Sequence, residues 1–250
     1  MISLLIPTRG RPALLREALA SLGRQTFPRF EAVVVDDGAG EGLEVVASSG
    51  DPRFRAFPNP GRGQVEARQR ALEVARGEVV LFLDDDDLLL DPAYLHRVWR
   101  VLSREEALVY GEGVLLLPQE ELPFRPGEVG GWLLRENRLL ASGTALRKKT
   151  LLNLGGLDGE MGDYWDWDLW LRAYGAGLPF RYLRGRNLGV RVHGKNQSYG
   201  ARQEERALFL ERLRAKHGLG PLVLKDHLSL ALEGSTGKPS HPGPGQHGVV

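Results

Sequence analysis

An apolar run that passes directly into four aspartates places the strongest constraint on how this chain can fold. Val79–Leu83 reads VVLFL, and Asp84–Asp87 follow it without a spacer. A short continuous apolar run of this kind is typical of a strand covered on both faces of a parallel sheet. Two carboxylates about 4 Å apart repel each other by roughly 4 kcal/mol at an effective dielectric near 20. The run therefore favours a bound cation at a strand end, and a solvated acidic turn is the alternative interpretation.

The first half of the chain repeats a strand–helix–strand order. Met1–Ile6 is apolar, apolar residues between 14 and 22 follow helical spacing, and Glu31–Val35 is a β-branched run. A second helical spacing over Val65–Arg76 precedes the Val79–Leu83 strand. This order predicts parallel strands with right-handed crossovers. We therefore expect a single α/β domain with a parallel sheet.

The second half of the chain is less regular. Asp91 as N-cap and Pro92 at the first helical position predict a helix after the aspartates. The remaining predicted elements are strands at 108–117, 142–147, 180–183 and 188–193, helices at 148–154, 162–174 and 201–217, and a last helix over 219–232. The strand at 108–117 is kinked at Gly-Glu-Gly. Residues 234–250 contain five glycines and three prolines, so we expect disorder there.

Composition excludes several classes of protein. The chain has no cysteine, which rules out thiolate zinc sites, iron–sulfur clusters and a cysteine nucleophile. The formal net charge is +1, so no strong global field attracts nucleic acid. No apolar run approaches the ~20 residues needed to span a bilayer, and the N-terminus lacks the pattern of a signal peptide. We therefore predict a cytoplasmic protein with no nucleic-acid partner.

A second acidic turn is predicted at the same edge of the sheet as the first. Asp36, Asp37 and Gly38 end the second predicted strand. In open α/β sheets, ligands bind in the crevice beyond the carboxyl ends of the strands. The two turns together suggest one site, in which one turn holds a nucleotide base or ribose and the other a metal-bound diphosphate. Carboxylate oxygens suit Mg²⁺ or Mn²⁺.

At these motifs the sequence resembles the family 2 inverting glycosyltransferases, which have the GT-A fold. The resemblance extends over roughly residues 1–195, and the order and spacing of its motifs make it specific. The residues that carry it are Ser3–Arg11, Ala18–Leu22, Gln25-Thr26, Glu31–Gly38, Gly63–Arg68, Gly77-Glu78, Phe82–Asp87, Gly155–Asp158 and Asp166–Arg172.

The resemblance implies a GT-A-like, Rossmann-related α/β fold, with a mixed, mostly parallel sheet and helices on both faces in a single domain. It also implies a metal-dependent inverting glycosyltransferase. The donor would be a UDP, GDP or dTDP sugar, and the acceptor hydroxyl would belong to a sugar, a polysaccharide or a lipid. Residues 1–110 would form the nucleotide-sugar-binding half, 111–218 the acceptor-binding and catalytic half, 219–233 a C-terminal helix and 234–250 a disordered tail. If the acceptor is a lipid, residues 201–232 could contact the inner membrane face peripherally.

The resemblance also implies roles for individual residues. The nucleotide would be bound by Pro7, Thr8, Arg9, Arg11, Asp37, Gly63, Arg68, Asp84 and Asp85. Asp86 and Asp87 would bind Mg²⁺ or Mn²⁺. The family's Asp-x-Asp motif falls on Asp84, Asp86 and Asp87, and since the intervening residue is also aspartate, the ligand set stays open. For Arg68, a salt bridge on the helix surface is the alternative.

The catalytic base implied by the resemblance is Asp166. Family members commonly have Glu-Asp at this point, where this chain has Trp165-Asp166; Asp163, one helical turn earlier, is the alternative base. Asp168 points to the opposite side of the helix and pairs with Arg172. The remaining expected roles are an acceptor platform made by Trp165 and Trp167, and a lid over the donor carrying His193 and Lys195.

Two other functions fit the same motifs. A non-catalytic sugar-nucleotide-binding protein would explain the missing glutamate at Trp165. An Asp-x-Asp phosphotransferase would also place aspartates after an apolar strand, but such an enzyme needs a downstream lysine, and none lies between Asp87 and Lys148.

Overall fold

The structure, a computed structural model, describes residues 1–192 and 203–235. In this part of the chain, nine strands form one sheet: β1 (Ile2–Thr8), β2 (Phe30–Asp36), β3 (Phe54–Pro58), β4 (Val79–Phe82), β5 (Leu88–Leu89), β6 (Leu108–Leu116), β7 (Glu121–Phe124), β8 (Ala145–Arg147) and β9 (Phe180–Arg191). The helices are α1 (Pro12–Gly23), α2 (Glu41–Ser49), α3 (Gln64–Val74), α4 (Tyr94–Leu102), α5 (Lys148–Asn153), α6 (Trp165–Gly175), α7 (Gln203–His217) and α8 (His227–Ser235). Short 3-10 helices cover Gly131–Leu134 and Gly159–Tyr164.

The sheet is mixed, and its parallel part carries the site. The strand order is β3-β2-β1-β4-β8-β6-β9-β5, with β7 on β6. Strands β1 to β4 are parallel, β8 is antiparallel to β4 and to β6, and β9 is parallel to β6. Thr8 lies opposite Asp36, and Leu5 lies opposite Phe82. The carboxyl ends of β1, β2 and β4 therefore meet at one edge, as the acidic turns require.

Helices cover both faces of the sheet because the strand side chains alternate between two cores. In β1, Leu4 packs into one core and Leu5 into the other, in accord with the period of two along a strand. The first core also takes the apolar faces of α1, α2 and α4, whereas the second takes those of α3 and α6. The predicted α/β class, the mostly parallel central strands and the placement of helices are confirmed.

Several predicted boundaries are wrong. The helix α4 begins at Tyr94 rather than just after Asp91, and the last helix begins at His227 rather than at 219. The strands predicted near 180–183 and 188–193 form the single strand β9. The helix predicted from 162 starts at Trp165, because Gly162 has a φ of 49° that interrupts the turn before it.

Some predictions lie outside what the structure tests. Residues 236–250, which cover most of the expected tail, are not among the described residues. The division into halves at 110 and 111 stays a prediction. Within the described ranges, no helix has the length and apolar character needed to cross a membrane.

Candidate active site

A cleft of about 500 Å³ opens beyond the carboxyl ends of β1, β2 and β4. It brings together most of the residues predicted from the sequence to bind or react. These are Pro7, Thr8, Arg9, Arg11, Asp37, Gly63, Arg68, Asp84, Asp85, Asp86, Asp87, Trp165 and Asp166. Trp167 does not line the cleft, and His193 and Lys195 lie outside the described residues.

At one end of the cleft, Asp37 is held by three separate segments. Its backbone N–H donates to Thr8 O at 2.8 Å, and its carboxylate accepts from Asn59 Nδ2 at 2.7 Å and from the N–H of Gly63 at 3.0 Å. Gly63 has a φ of 92°, which favours glycine at this close approach. The guanidinium of Arg9 lies 3.6 Å from Asp37 and is 75% exposed. This end therefore combines a fixed carboxylate with an exposed cation.

Asp84, Asp86 and Asp87 form an acidic cluster at the centre of the cleft, with one carboxylate oxygen from each lying within 4.8 Å of the others. Asp87 accepts from Ser142 Oγ at 2.5 Å and from the N–H of Arg191 at 3.2 Å. Burial, followed by the charges of Asp86 and Asp84, raises the pKa of Asp87 well above its ordinary value. Three carboxylates so close together favour a hard divalent cation among them.

Asp85 points away from this acidic cluster. It accepts from Thr8 Oγ1 at 2.6 Å, and Arg11 Nη2 lies 2.7 Å from its other oxygen. Burial raises the pKa of Asp85 to about 6, against the opposing effects of Arg11 and Thr8. The same guanidinium donates to Asp86 at 2.5 Å. Asp85 and Arg11 thus join the end of β1 to the acidic cluster.

Arg68 is a buried cation between α3 and the acidic cluster, so the alternative of a pair on the helix surface is wrong. It is 2% exposed, it is bonded to Asp84, and it donates to Gln64 Oε1 at 2.7 Å. Its guanidinium lies 4.5 Å from the centre of the Trp165 ring.

Asp166 lies at the start of α6 and faces the cleft. Its carboxylate accepts from Asn137 Nδ2 at 3.0 Å and from the N–H of Trp167 at 2.7 Å. Burial raises the pKa of Asp166 to about 6, with a small contribution from Asp84, while the two hydrogen bonds and Arg68 act in the opposite direction. A carboxylate of this kind is mostly deprotonated at neutral pH and can accept a proton there.

The two other aspartates of this region have different surroundings. Asp163 also lines the cleft, where Gln64 Nε2 lies 3.4 Å and Arg206 Nε 3.9 Å from its carboxylate. Asp168 is fully buried and pairs with Arg172 at 2.7 Å, as the helical spacing predicts.

The predicted acceptor platform disagrees with the structure at Trp167. Its side chain is 1% exposed, packs in the core beneath the cleft, and donates from Nε1 to Leu133 O at 2.8 Å. Trp165 lines the cleft but is 3% exposed, and its ring packs on Phe82 at 5.0 Å. Neither indole presents an open face, because α6 turns both towards the sheet.

The structure adds four polar side chains that the sequence interpretation missed, namely Asn59, Gln64, Asn137 and Ser142. Each supports a predicted site residue. They lie in loops or at a helix start and follow no spacing pattern, so no local signal identifies them.

The family is decided by a comparison with known proteins. The model of glycosyl transferase family 2 matches residues 3–143, which include β1, β2, the acidic cluster and Ser142. The chain belongs to glycosyl transferase family 2. One family relative is the uncharacterized glycosyltransferase YwdF of Bacillus subtilis, 29% identical over 93% of this chain and 90% of its own length. The chain is therefore a glycosyltransferase, and the family does not support the phosphotransferase alternative.

Solved structures of similar fold confirm the GT-A-like architecture of this family 2 chain. S. aureus TarS 1-349, crystallised with UDP-GlcNAc, has a TM-score of 0.70 at 19% identity, with 86% of this chain and 66% of that chain covered. The mannosyltransferase PcManGT of Pyrobaculum calidifontis, solved with GDP-Man and Mn²⁺, has a TM-score of 0.63 at 21% identity, with 94% of this chain and 68% of that chain covered. This chain thus spans about two thirds of the length of both.

Proposed function

We propose that this glycosyltransferase moves a sugar from a nucleotide-diphosphate sugar to an acceptor hydroxyl, with inversion at the anomeric carbon and with a divalent metal ion. The observation that carries the proposal is the convergence of Asp84, Asp86 and Asp87 within 4.8 Å in the cleft that also holds Asp166. The nucleotide sugars bound by TarS and PcManGT, and the Mn²⁺ bound by PcManGT, support the donor class and the metal.

At the donor end, Asp37, Thr8 and Arg9 would hold the nucleoside. The Asp37 carboxylate is positioned by Asn59 and Gly63, so it can accept a base N–H with little reorganisation. Pro7 completes this wall of the cleft.

The acidic cluster fits a divalent cation. Its donor set is three carboxylates, which suit Mg²⁺ or Mn²⁺. Burial, followed by the charges of Asp86 and Asp84, raises the pKa of Asp87, and a cation would relieve the repulsion among these charges. Asp84, Asp86 and Asp87 would hold the ion, whereas Asp85 is committed to Thr8 and Arg11. When bound, the ion supplies positive charge that stabilises the departing diphosphate. Arg68 adds a second, permanent cation beside Asp84.

Asp166 would act as the general base. Its carboxylate would take the proton from the acceptor hydroxyl while the hydroxyl oxygen bonds to the anomeric carbon and the nucleoside diphosphate leaves from the opposite face. One displacement of this kind inverts the configuration. A pKa of about 6 leaves most of the group deprotonated at neutral pH while keeping it basic. The acceptor class and any contact with a membrane surface stay predictions.

The first experiment measures binding. Isothermal titration of UDP and GDP, with and without Mn²⁺, should show binding of at least one nucleotide that Mn²⁺ strengthens. Asp86→Asn should abolish the effect of Mn²⁺. Equal affinity with and without the ion would contradict the metal assignment.

The second experiment measures transfer and separates an enzyme from a non-catalytic binder. Release of nucleoside diphosphate from UDP-GlcNAc and GDP-mannose is followed with water and with sugar acceptors. Asp166→Asn should keep nucleotide binding and lose turnover by about 10²- to 10⁴-fold. The matched variant Asp163→Asn tests the alternative base, and we expect it to retain turnover. Binding without consumption of any donor would favour a binding protein instead.

A further inference from the structure

A single segment, residues 137–142, contacts both the proposed base and the acidic cluster. At its start, Asn137 Nδ2 donates to Asp166 Oδ2 at 3.0 Å. At its end, Ser142 Oγ donates to Asp87 Oδ2 at 2.5 Å and accepts from the N–H of Asp84 at 3.0 Å. The segment therefore connects Asp166 with the acidic cluster, and sugar transfer requires a defined distance between these two groups.

Its two leucines prevent the segment from sliding. Leu139 is 0% exposed and packs into the core beneath α3 and α6, whereas Leu140 is 3% exposed and packs into the core on the opposite face of the sheet. Because neighbouring residues are anchored on opposite faces, a shift of the segment would unpack one of them.

The segment also lies next to β4, the strand that precedes the acidic cluster in the sequence. The N–H of Gly143 donates to Phe82 O at 2.8 Å, and the N–H of Phe82 donates to Thr144 O at 3.0 Å. Thr144 Oγ1 donates to Leu140 O at 2.7 Å. The residues directly after the segment are thus bonded to the end of β4, and Thr144 is bonded back to the segment.

We propose that Asn137 is a positioning residue for sugar transfer, which orients the Asp166 carboxylate relative to the acidic cluster, with Ser142 as the matching contact on the cluster side. This inference rests on the proposed function. Asn137 Oδ1 accepts from the N–H of Leu139 at 3.0 Å, which fixes the amide with Nδ2 towards Asp166. The charged groups that act on Asp166 are Arg68 from α3 and Asp84 from the end of β4.

The variant Asn137→Asp separates two roles of Asn137, which are the positioning of Asp166 and the hydrogen bond to Leu139 within the segment. Aspartate keeps an oxygen for the Leu139 N–H, but it loses the donor and places a like charge 3.0 Å from Asp166. Asn137→Ala loses both contacts. Asn153→Asp makes the same chemical change at the exposed end of α5 and serves as the matched control.

The readouts are kcat, the donor KM and the pH profile of nucleoside diphosphate release, together with nucleotide affinity in Mn²⁺. We expect kcat to fall roughly 10- to 100-fold in both Asn137 variants, with nucleotide affinity within about twofold of wild type. The acid limb of the pH–rate profile should move to higher pH, and the shift should be largest in Asn137→Asp. A lost hydrogen bond and an added negative charge both disfavour the deprotonated form of Asp166. Asn153→Asp should match wild type.

Three results would overturn the inference, and they point to different causes. If Asp166→Asn loses turnover while Asn137→Asp keeps the wild-type kcat and pH profile, Asn137 has no positioning role and the proposed function stands. If Asp166→Asn keeps full turnover, the base is wrongly assigned and both proposals fail. A loss of nucleotide affinity in Asn137→Asp equal to its loss of kcat would indicate general disruption of the fold, which also contradicts a positioning role.

Discussion

The guanidinium of Arg68 lies 4.5 Å from the centre of the ring of Trp165, the residue that precedes Asp166 at the start of α6. The same group is bonded to Asp84 and is 2% exposed. A permanent cation is therefore buried between the acidic cluster and the proposed base, and it offsets part of the repulsion among the carboxylates. In this arrangement the chain itself supplies positive charge at the position where a divalent ion would add more.

Arg68→Met should lower the melting temperature in the absence of metal. The substitution keeps apolar contact with Trp165 but removes the charge and the bond to Asp84, which we expect to destabilise the fold by about 1–3 kcal/mol. Added Mn²⁺ should raise the melting temperature of the variant more than that of wild type, because the acidic cluster then lacks its internal counter-charge. Thermal denaturation with and without Mn²⁺ checks this.

The control for this prediction is Arg68→Lys. Lysine retains the positive charge but lacks the planar guanidinium group. The change in melting temperature of this variant on addition of Mn²⁺ should therefore stay near that of wild type. If Arg68→Met had the wild-type melting temperature and the same rise in melting temperature on addition of Mn²⁺, Arg68 would not contribute to the electrostatics of the acidic cluster.

The central strands and the acidic edge of the site could be predicted from the sequence because each depends on a local pattern. Continuous apolar runs identify strands covered on both faces, and the crossover rule then makes their carboxyl ends meet. That argument alone brings Asp37 to the same edge as Asp84–Asp87, and the structure confirms the meeting of β1, β2 and β4 there.

The missed features depend on non-local contacts. Helix α2 follows Gly40 and contains Gly42 and the β-branched pair Val45-Val46, a poor helical sequence. It forms because buried Asp36 accepts from the N–H of Gly42 at 2.7 Å and both valines pack into the core. The core position of Trp167 likewise depends on Leu133, far away in the sequence.

The transfer rate should depend on pH through Asp166. Burial raises the pKa of this carboxyl to about 6, and only its deprotonated form can accept a proton. The rate should therefore be level above pH 7 and fall about tenfold per pH unit below 6. Nucleotide affinity measured over the same range in Mn²⁺ separates this effect from titration of the acidic cluster. A rate that stays constant between pH 5 and pH 8 would show that another group is the base.

Trp167→Phe should reduce stability without changing substrate affinity. Phenylalanine fills part of the same core space but cannot donate to Leu133 O, so we expect a loss of about 1–3 kcal/mol in the free energy of unfolding. Trp132→Phe removes a similar bond, to Glu128 O, in a more exposed place and should cost less. Chemical denaturation and the donor and acceptor KM values check both. A raised acceptor KM in Trp167→Phe, with little change in stability, would restore the platform role.

Asp166→Asn and Asp168→Asn should change stability in opposite directions, although the two residues are two positions apart on α6. Asp168 is bonded to Arg172, Lys216 and His217 at 2.7–2.9 Å, and these partners lower its pKa against the effect of burial. The Asp168 carboxylate therefore stabilises the fold at pH values above about 3.8, which is its pKa in the unfolded chain. This stabilisation is lost as the pH falls through the lower pKa that Asp168 has in the folded protein. Asp168→Asn should lower the free energy of unfolding by about 3–5 kcal/mol at pH 7, and its difference in stability from wild type should become smaller in acid.

Asp166 has a raised pKa, so its charged form weakens the fold at pH 7. Asp166→Asn should therefore melt at or above the wild-type temperature. Denaturation of both variants at pH 7 and pH 3 tests the pair, and a lower melting temperature for Asp166→Asn at pH 7 would contradict it.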